Sequence, residues 1–504
     1  MQYLLDGAQM KAVERYNIEE IGIPSLALME RAAFAVADEA EKLCPPKGRI
    51  LVVCGMGNNG ADGLAAARML YLHGKKVEIV VSGPMERATE EHRIQRRILE
   101  KLDVPVNTMD ISREYNIKGR YDLIIDALFG IGLSRPLTGE ARRIVRWINE
   151  AGGCGSQVLS VDIPTGVSSG TGGILGTAVR AQVTVTFGYE KLGMALYPGA
   201  EYAGRHIVAD IGFVKPPNLG EAVRSYLPGE KGCLPHRPAG GNKGTFGRVF
   251  LAAGSAGMCG AAYLSGKAAY LSGAGLVQIH TVKENVPVLQ SLLPEAVITV
   301  CDPSPVSEGK ALSPRASVLV AGPGLSTKPY AGELLKKLLQ ERQEYGIPCI
   351  LDADALNLLA EDRSLFDHLD RHVAVTPHMG EMARLTGKTI EELKADPVLA
   401  AKEFYEKYGV ICVLKDARTV VASERGIYVN LSGNDGMATG GSGDVLSGLL
   451  GGLLAGGMEL AEAAETGVYL HGLAGDAAAS RLGRHAMLAG DILEAAGTVL
   501  HTWE

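Results

Sequence analysis

The sequence predicts an α/β protein of two domains, and three observations lead to this prediction. The chain has 504 residues, more than one hydrophobic core usually organises. In both halves short apolar runs alternate with helical stretches, which is typical of parallel sheets covered on both faces. A proline-rich stretch with little periodicity, residues 215–238, separates the halves. We therefore expect two three-layer α/β/α domains, over residues 1–214 and 225–504.

In the first half, helices are predicted over residues 8–20, 25–43, 64–73, 88–102 and 140–150. Strands are predicted over residues 49–54, 77–81, 121–126, 158–162 and 183–187. Between the first of these strands and the next helix, Gly55, Gly57 and Gly60 match the dinucleotide fingerprint G-x-G-x-x-G, which indicates a Rossmann-like domain. The acidic residue that usually ends the second strand is missing, since Ser82 and Gly83 stand there. An ordinary dehydrogenase is therefore disfavoured.

In the second half, strands are predicted over residues 247–254, 276–280, 317–321, 349–351, 373–376, 410–415 and 419–423, with a small-residue helix over 261–272. The stretch between the halves is expected to contain a short strand or turn. Near the end of the chain, a glycine-rich loop at 434–443 leads through Asp444 into a small apolar helix.

Composition excludes several classes of function. With 46% hydrophobic and 21% charged residues the chain is typical of a globular protein, and a net charge of −7 with few aromatic residues argues against a nucleic-acid partner. Eight scattered cysteines without a C-x-x-C pair indicate reduced thiols. Residues 1–20 lack the apolar core of a signal peptide, and the longest apolar run is too short for a membrane span. We expect a cytoplasmic protein.

Polar residues collect at the ends of three predicted strands in the first half. Asn58, Asn59 and Asp62 follow one strand, while Asp126 and Asp162 end two others. Singly, an aspartate after a strand is most often a turn or cap residue. Together, at the edge where parallel strands end, these oxygens indicate a hard-cation site beside a phosphate or ribose.

Four segments carry a resemblance to a known family: G-M-G-N-N-G-A-D-G, D-A-L-F-G-I-G-L-S-R-P, D-I-P-T-G and K-L-G-M-A-L-Y-P-G-A. Over residues 1–213 the chain resembles the NAD(P)H-hydrate epimerases, although Ala61 replaces a usual glycine. The resemblance implies racemisation at the C6 hydroxyl carbon of hydrated NAD(P)H and a potassium ion on Asn59, Asp126 and Thr165. We predict Asp162 as the catalytic residue of epimerisation. The implied substrate-binding residues are Asn58, Asn59, Gly60, Ala61, Asp62, Gly130, Ile131, Gly132, Leu133, Ser134, Arg135, Pro136 and Asp162.

The glycine-rich loop before Asp444 predicts an anion site, because it places free backbone N–H groups and the positive end of a helix dipole together. A carboxylate beside such a site is either an N-cap of the helix or a chemically active group. His378 could be a satisfied core or turn histidine. Lys415 could form a surface ion pair with Asp416, and Asp352 and Asp354 could be turn residues that cap the next helix.

The segments A-G-P-G, L-D-A-D-A-L-N-L-L, T-P-H-M-G-E, V-L-K-D-A-R-T and G-M-A-T-G-G-S-G-D-V-L-S-G resemble the nucleotide-dependent NAD(P)H-hydrate dehydratases of the ribokinase-like fold. The resemblance covers residues 225–504, with Asp416 in place of a usual glycine. It implies that Ala261, Gly324, His378 and Asp444 face the substrate. The implied nucleotide-binding residues are Lys415, Asp416, Ala417, Arg418, Thr419, Asn434, Asp435, Gly436, Met437, Ala438, Thr439, Gly440, Gly441, Ser442 and Gly443.

Both resemblances together imply a bifunctional repair enzyme. Asp444 would accept the proton of the substrate hydroxyl as its oxygen attacks the terminal phosphate of the nucleotide, and loss of phosphate would regenerate NAD(P)H. The resemblance favours ADP over ATP as the donor, giving AMP, with magnesium on the phosphates. It also implies self-association. Two alternatives are a ribokinase-type kinase fused to a Rossmann-like domain, which would release a phosphorylated product, and a nucleotide-sensing scaffold, against which the carboxylates argue.

Overall fold

The structure, a computed structural model, describes residues 1–108, 121–301 and 310–504. The chain divides into one unit of Tyr3–Val223 and another of Arg224–Glu504 together with Met1–Gln2. The limits expected above for functional domains remain predictions. Within the described ranges, no helix combines the length and apolarity that a membrane span requires.

The described part of the first unit contains the predicted alternation of helices and strands. It also contains four strands that were not predicted, over Gln2–Leu5, Val106–Thr108, Glu190–Lys191 and Arg205–Ala209. The elements are β1 (Gln2–Leu5), α1 (Gly7–Arg15), α2 (Ser25–Leu43), β2 (Arg49–Cys54), α3 (Asn58–Leu72), β3 (Lys76–Val81), α4 (Glu90–Lys101), β4 (Val106–Thr108), β5 (Leu123–Ala127), α5 (Gly139–Gly153), β6 (Gln157–Val161), β7 (Val183–Phe187), β8 (Glu190–Lys191), α6 (Leu192–Ala195), α7 (Gly199–Ala203) and β9 (Arg205–Ala209).

Seven of these strands form a parallel sheet in the order β4-β3-β2-β5-β6-β7-β9. At its centre, Val52 of β2 lies opposite Ile79 of β3 and Ile125 of β5. Side chains of a strand alternate between the two faces of the sheet. Val52 therefore packs with α2 and α3, whereas Val53 packs with α5 on the other face. The predicted three-layer arrangement is confirmed.

Helix α3 begins at Asn58, earlier than the start predicted at residue 64. A Cβ at Gly60 would lie 1.8 Å from the carbonyl oxygen of Gly55, and one at Gly55 would lie 2.0 Å from that of Leu128. Because backbones approach this closely only without side chains, β2 turns into α3 within a few residues. The prediction of a loop here was wrong, and its polar side chains project from the first turns of a helix.

The second unit begins with a short strand in the connecting stretch, as predicted. Its described elements are β10 (Val223–Ser225), β11 (Arg248–Ala252), α8 (Cys259–Leu271), β12 (Leu276–Thr281), α9 (Val286–Leu292), β13 (Val297–Val300), β14 (Val318–Ala321), α10 (Pro329–Tyr345), β15 (Cys349–Leu351), α11 (Asp354–Glu361), β16 (Val373–Val375), α12 (Met379–Thr386), α13 (Ile390–Ala395), α14 (Pro397–Tyr408), β17 (Ile411–Leu414), β18 (Val420–Ser423), β19 (Gly426–Val429), α15 (Ser442–Ala455), α16 (Leu460–Leu482) and α17 (Ala489–Trp503).

The strands of this unit follow the order β13-β12-β11-β14-β15-β16-β17-β18-β19-β10. Strands β13 to β17 are parallel, while β17, β18 and β19 form an antiparallel meander. Each predicted strand is present to within a few residues, but β13 and β19 were missed. The parallel part places the carboxyl ends of β11, β14, β15, β16 and β17 at one edge, which is where α/β proteins bind ligands.

The glycines of α15 explain how this helix is buried. A Cβ at Gly448 would lie 2.2 Å from the carbonyl oxygen of Ser265, and one at Gly452 would lie 2.0 Å from Oγ of Ser272. Helix α15 therefore packs directly on the backbone of α8. It begins at Ser442, so that Asp444 lies inside its first turn.

Candidate active sites

The first candidate site contains a fully buried carboxylate at the end of β5. Asp126 accepts hydrogen bonds from the hydroxyl of Thr165 at 2.7 Å, from the Thr165 N–H at 2.9 Å and from the hydroxyl of Ser160 at 2.9 Å. Burial raises the pKa of Asp126, although these hydrogen bonds oppose the shift. The structure thus brings together two of the three predicted cation ligands.

Asn59, the third predicted ligand, lies beside them. Both of its amide atoms are buried and have no hydrogen-bond partner within the described ranges. A Cβ at Gly130 would lie 3.1 Å from Asn59 Oδ1, and the preceding Phe129 donates its N–H to Oγ1 of Thr165 at 3.0 Å. An unsatisfied buried amide is costly. The group of amide, carboxylate and hydroxyl oxygens therefore fits a hard cation, which prefers oxygen ligands.

Asp162 follows β6 and is held by a buried lysine. Its φ of 65° is left-handed, which strains a non-glycine residue by about 1–3 kcal/mol. Its Oδ1 lies 2.7 Å from Nζ of Lys191 and accepts a hydrogen bond from Thr186 at 3.3 Å. Lys191 is fully buried and also donates to the carbonyl oxygens of Phe187 and Tyr189, both at 3.1 Å. Oδ2 of Asp162 bonds to no described residue, which leaves it available to a ligand.

Two further carboxyl groups lie in the electrostatic field of Asp162. Burial, followed by repulsion from Asp162, raises the pKa of Glu14 to about 7, although Lys191 and Lys11 oppose the shift. Burial and the same repulsion raise the pKa of Asp62 well above its usual range. Glu14 is therefore partly protonated near neutral pH, and Asp62 keeps its proton to a higher pH than an ordinary aspartate.

The other predicted substrate residues lie on α3 and on the irregular loop between β5 and α5. On α3, Asn58 is exposed while Gly60 and Ala61 are buried. On the loop, Gly132, Ser134, Arg135 and Pro136 are exposed, whereas Gly130, Ile131 and Leu133 are partly buried.

The second candidate site contains a buried ion pair. Nζ of Lys415 lies 2.7 Å from Oδ1 of Asp352, and Ser447 donates to Oδ2 of Asp352 at 2.6 Å. Burial raises the pKa of Asp352, but Lys415 and Ser447 lower it by more. Burial conversely lowers the pKa of Lys415, but Asp352 and Glu381 raise it by more. The pair is therefore ionised, and the interpretations of Lys415 as a surface pair and of Asp352 as a helix cap were wrong.

Asp444 lies in the electrostatic field of this ion pair. The N-cap of α15 is Gly441, with φ 91°, so the alternative of Asp444 as N-cap was wrong. Within the described residues no group donates a hydrogen bond to its carboxylate. Burial, followed by repulsion from Asp352, raises its pKa to about 6, although Lys415 opposes the shift. A carboxyl with this pKa can accept a proton near neutral pH and has no structural partner to lose.

His378 is the N-cap of α12, as the turn-histidine interpretation expected. Its Nδ1 accepts hydrogen bonds from the N–H groups of Gly380 and Glu381, at 2.9 and 3.3 Å. Nε2 lies 3.4 Å from Oε1 of Glu381, and burial raises the pKa of Glu381 to about 7. The imidazole of His378 is about half exposed. It can therefore contact a substrate while it caps the helix.

The remaining predicted residues form the walls of the site. A Cβ at Gly324 would lie 2.9 Å from Cβ of Met258 and 3.0 Å from Cβ of Ala261. The two predicted substrate residues Gly324 and Ala261 are therefore neighbours. Residues 415–419 connect β17 to β18. A Cβ at Gly443 would lie 3.3 Å from Nζ of Lys415, which brings the two nucleotide loops together.

The glycine-rich loop is fixed by its own polar side chains. Asn434 accepts a hydrogen bond from the N–H of Gly436 at 3.0 Å and donates to Asp476 at 2.9 Å. Ser442 Oγ lies 3.3 Å from Nε2 of His471, whose pKa burial lowers to about 4. These contacts therefore fix the conformation of the loop before the helix begins.

Sequence reasoning missed several residues of both sites. Lys191 lies in a quoted segment, but nothing marked it as buried. Glu14 is part of an amphipathic helix, where a charge usually faces solvent. Ser447 and Glu381 also lie in quoted segments, but their roles were missed because these depend on neighbours that are distant in sequence.

Both halves of the chain match known protein families. The family model described as NAD(P)H-hydrate dehydratase matches residues 249–497, and the one described as YjeF-related protein N-terminus matches residues 25–193. A bifunctional NAD(P)H-hydrate repair enzyme Nnr of Moorella thermoacetica is 36% identical over 100% of this chain and 97% of its own. The chain belongs to the family of bifunctional NAD(P)H-hydrate repair enzymes.

Other members of the repair enzyme family agree with this assignment. Those of Thermofilum pendens and Escherichia coli are 39% and 33% identical, each over 95% of this chain and over 92% and 90% of their own. A crystal structure of an ADP/ATP-dependent NAD(P)H-hydrate dehydratase from Bacillus subtilis, co-crystallised with ATP and Mg²⁺, is 30% identical, with a TM-score of 0.48, over 54% of this chain and 95% of its own. As a family member the chain is an NAD(P)H-hydrate epimerase and dehydratase, and neither the kinase nor the scaffold alternative accounts for both halves.

Proposed function

We propose that the first unit epimerises hydrated NAD(P)H at Asp162 and that the second removes water from the S form, with Asp444 as the base. The observation that carries this proposal is that each site contains a carboxylate oxygen with no structural partner, Oδ2 of Asp162 and the carboxylate of Asp444. The other carboxylates described above at the two sites are bonded within the fold, except Glu14 and Asp62, whose pKa values are raised by burial and by repulsion from Asp162.

In the epimerase site, the remaining predicted residues would bind the substrate around Asp162. The loop Gly130–Pro136 and the first turns of α3 both offer backbone and polar groups beside it. Because Asp162 is paired with Lys191, its carboxylate is available as a base for the C6 hydroxyl. Loss of that proton would allow the C6–N1 bond to open, and closure on the other face would invert C6.

Asn59, Asp126 and Thr165 would hold a potassium ion in the epimerase site. The unsatisfied Oδ1 of Asn59 supports this, since a bound cation would supply the missing partner of that oxygen. The ion would supply a fixed positive charge for the substrate. The chain's own residues would carry out the proton transfers.

In the dehydratase site, Asp444 would take the proton of the C6 hydroxyl while that oxygen attacks the terminal phosphate of ADP or ATP. The N–H groups of the glycine-rich loop and the positive end of α15 would bind the transferring phosphoryl group. Lys415, held by Asp352, adds a fixed positive charge beside Gly443. Phosphate would then leave from C6 with the bonding electron pair, C5 would lose a proton to water, and the C5=C6 double bond of NAD(P)H would form.

Magnesium would enter this site with the nucleotide. No three His, Cys, Asp or Glu side chains in the described ranges are grouped to hold a metal. This fits an ion carried mainly by phosphates and water, as magnesium usually is at nucleotide sites. The ion would neutralise phosphate charge.

Self-association and a cytoplasmic location are also proposals. All eight cysteines are free, which fits a reducing compartment. Light scattering of the purified chain would test whether it is oligomeric. The net charge of −7 supports the absence of a nucleic-acid partner.

The testing experiment is the recovery of reduced-nicotinamide absorbance from mixed R and S hydrated NADH. The assay contains magnesium, potassium and either ADP or ATP. Complete recovery requires both activities, and the nucleotide that supports it names the donor. Recovery of the S fraction alone would contradict the epimerase proposal, and no recovery with either nucleotide would contradict both. Replacing potassium with lithium should slow recovery of the R fraction only.

A further inference from the structure

Helix α1 lies against the epimerase site. A Cβ at Gly7 would lie 2.8 Å from the carbonyl oxygen of Ile131 and 2.6 Å from Oγ of Ser169. Met10 and Val13 are buried in a cluster with Ile131. The first unit therefore fixes α1 against the loop that is proposed to bind the substrate.

The strand before α1 anchors it to the lysine of the site. Strand β1 pairs in parallel with β8, and Leu5 lies opposite Lys191. At the other end, Asn17 donates to the carbonyl oxygens of Val13 at 2.9 Å and Val214 at 3.0 Å, and it accepts the N–H of Val214 at 2.7 Å. With both ends fixed, the side chains between them have defined positions.

Glu14 lies on the inner face of this helix. It is four residues after Met10 and three before Asn17, both of which are buried, and residues at these spacings share one helix face. Its carboxyl makes no hydrogen bond or ion pair with any described residue. The titratable groups that face it are Asp162, Asp62, Lys191 and Lys11.

Lys191 donates no hydrogen bond to Glu14, because its three N–H donors are already used. They point to Asp162, Phe187 and Tyr189, at 2.7, 3.1 and 3.1 Å. The charge of Asp162 is therefore compensated by Lys191, whereas Glu14 is buried beside the negative charge of Asp162. Two carboxyls in unlike surroundings differ in protonation, which is how acid and base roles are divided in an active site.

We propose that Glu14 is a catalytic residue of the epimerase site and is the acid that works opposite Asp162. This rests on the proposed position of the epimerase site. Asp162 takes the proton of the C6 hydroxyl, C6=O forms and the C6–N1 bond breaks. The electron pair goes to N1, which takes a proton from Glu14. Rotation and the reverse steps close the ring on the other face and return both protons.

The rate of epimerisation should depend on the protonation of Glu14. The acid form of Glu14 is needed, and burial and Asp162 raise its pKa to about 7. Epimerisation should therefore be present below this pH and lost as the pH rises through about 7. Asp62 also faces Glu14, so a second variant separates the two carboxyls.

The test uses the full chain, pure R hydrated NADH and no nucleotide, and follows formation of the S form after subtraction of the enzyme-free rate. Glu14→Gln should lower the rate by about 10²-fold or more and abolish the fall near pH 7. Glu20→Gln, an exposed residue of the following helical turn, is the matched control and should behave as wild type. Asp62→Asn should keep the fall near pH 7.

Dehydration of the S form with nucleotide should be unchanged in all three variants, which reports an intact second unit. An unchanged rate in Glu14→Gln overturns the inference. A lower rate with the pH dependence intact also overturns it, because Glu14 would then only position other groups. Should Glu14→Gln fail to fold, Glu14→Asp decides, since a retained carboxyl must retain the fall. No epimerisation by wild type would instead contradict the proposed function.

Discussion

Asp162 and Asp444, the two proposed bases, lie in different electrostatic surroundings. Asp162 is compensated by Lys191 at 2.7 Å, so its carboxylate is available as an anion. Asp444 has no such partner, and burial and Asp352 raise its pKa to about 6. A group with this pKa is an effective base at neutral pH, because it is mostly ionised yet still basic.

Replacement of Asp444 by Asn should abolish dehydration while nucleotide binding survives. The amide keeps the size of the side chain but cannot take a proton, and loss of a general base typically costs about 10²–10⁴-fold in rate. Turnover would be followed by absorbance and ADP binding by calorimetry. Glu459→Gln, an exposed residue before α16, is the control. Wild-type turnover in Asp444→Asn would show that the base lies elsewhere.

The rate of dehydration should fall as the pH is lowered through about 6. The ionised form of Asp444 is required, and this form is lost below its raised pKa. The turnover number is measured with pure S hydrate between about pH 5 and 8. A rate independent of pH over this interval would contradict the assignment.

Lys191→Met should destabilise the first unit by about 3–5 kcal/mol, because it leaves the Asp162 carboxylate buried without its counter-charge. Adding Asp162→Asn should recover part of this loss, since the double variant buries no charge. Denaturant unfolding of the two variants and of Asp162→Asn alone gives the coupling energy between the residues. Additive effects would mean that the pair is not coupled.

At the scale of elements, both sites use a helix that begins directly after glycines. Helix α3 follows Gly57, and α15 follows Gly441. In each case no side chain caps the helix, so that its first N–H groups stay available for a ligand. The two helices also bring polar side chains to the sheet edge, Asn59 on one and Asp444 on the other.

Gly60→Ala should disable the epimerase and spare the dehydratase. Its Cβ would lie 1.8 Å from the carbonyl oxygen of Gly55, so the start of α3 and the amide of Asn59 must move. Such overpacking typically costs about 1–3 kcal/mol. Gly57→Ala is the matched control, because nothing lies within 4 Å of its Cβ. Epimerase assays and thermal unfolding compare the two, and equal behaviour would contradict the close approach.

At the scale of the whole molecule, each unit contains a separate site with its own carboxylates. The product of epimerisation is the substrate of dehydration, which gives the joined chain a chemical rationale.

A mixture of the Asp162→Asn and Asp444→Asn variants should therefore recover all of the absorbance from mixed R and S hydrates. Each variant retains one activity, and the S hydrate can diffuse from one protein to the other. Asp444→Asn alone should recover none, and Asp162→Asn alone only the S fraction. The final absorbance at long times is the measurement, and failure of the mixture to complete recovery would show that both activities are needed in one chain.

The sequence by itself determined the alternation of strands and helices, the two α/β halves and the family. It did so because buried parallel strands and glycine-rich turns leave local patterns. The tertiary structure alone decided that α3 begins at Asn58, that Lys415 pairs with Asp352, and that Lys191 and Glu14 lie beside Asp162. These features depend on contacts between segments far apart in the chain, and on which charges share a buried space, and neither leaves a trace in local sequence.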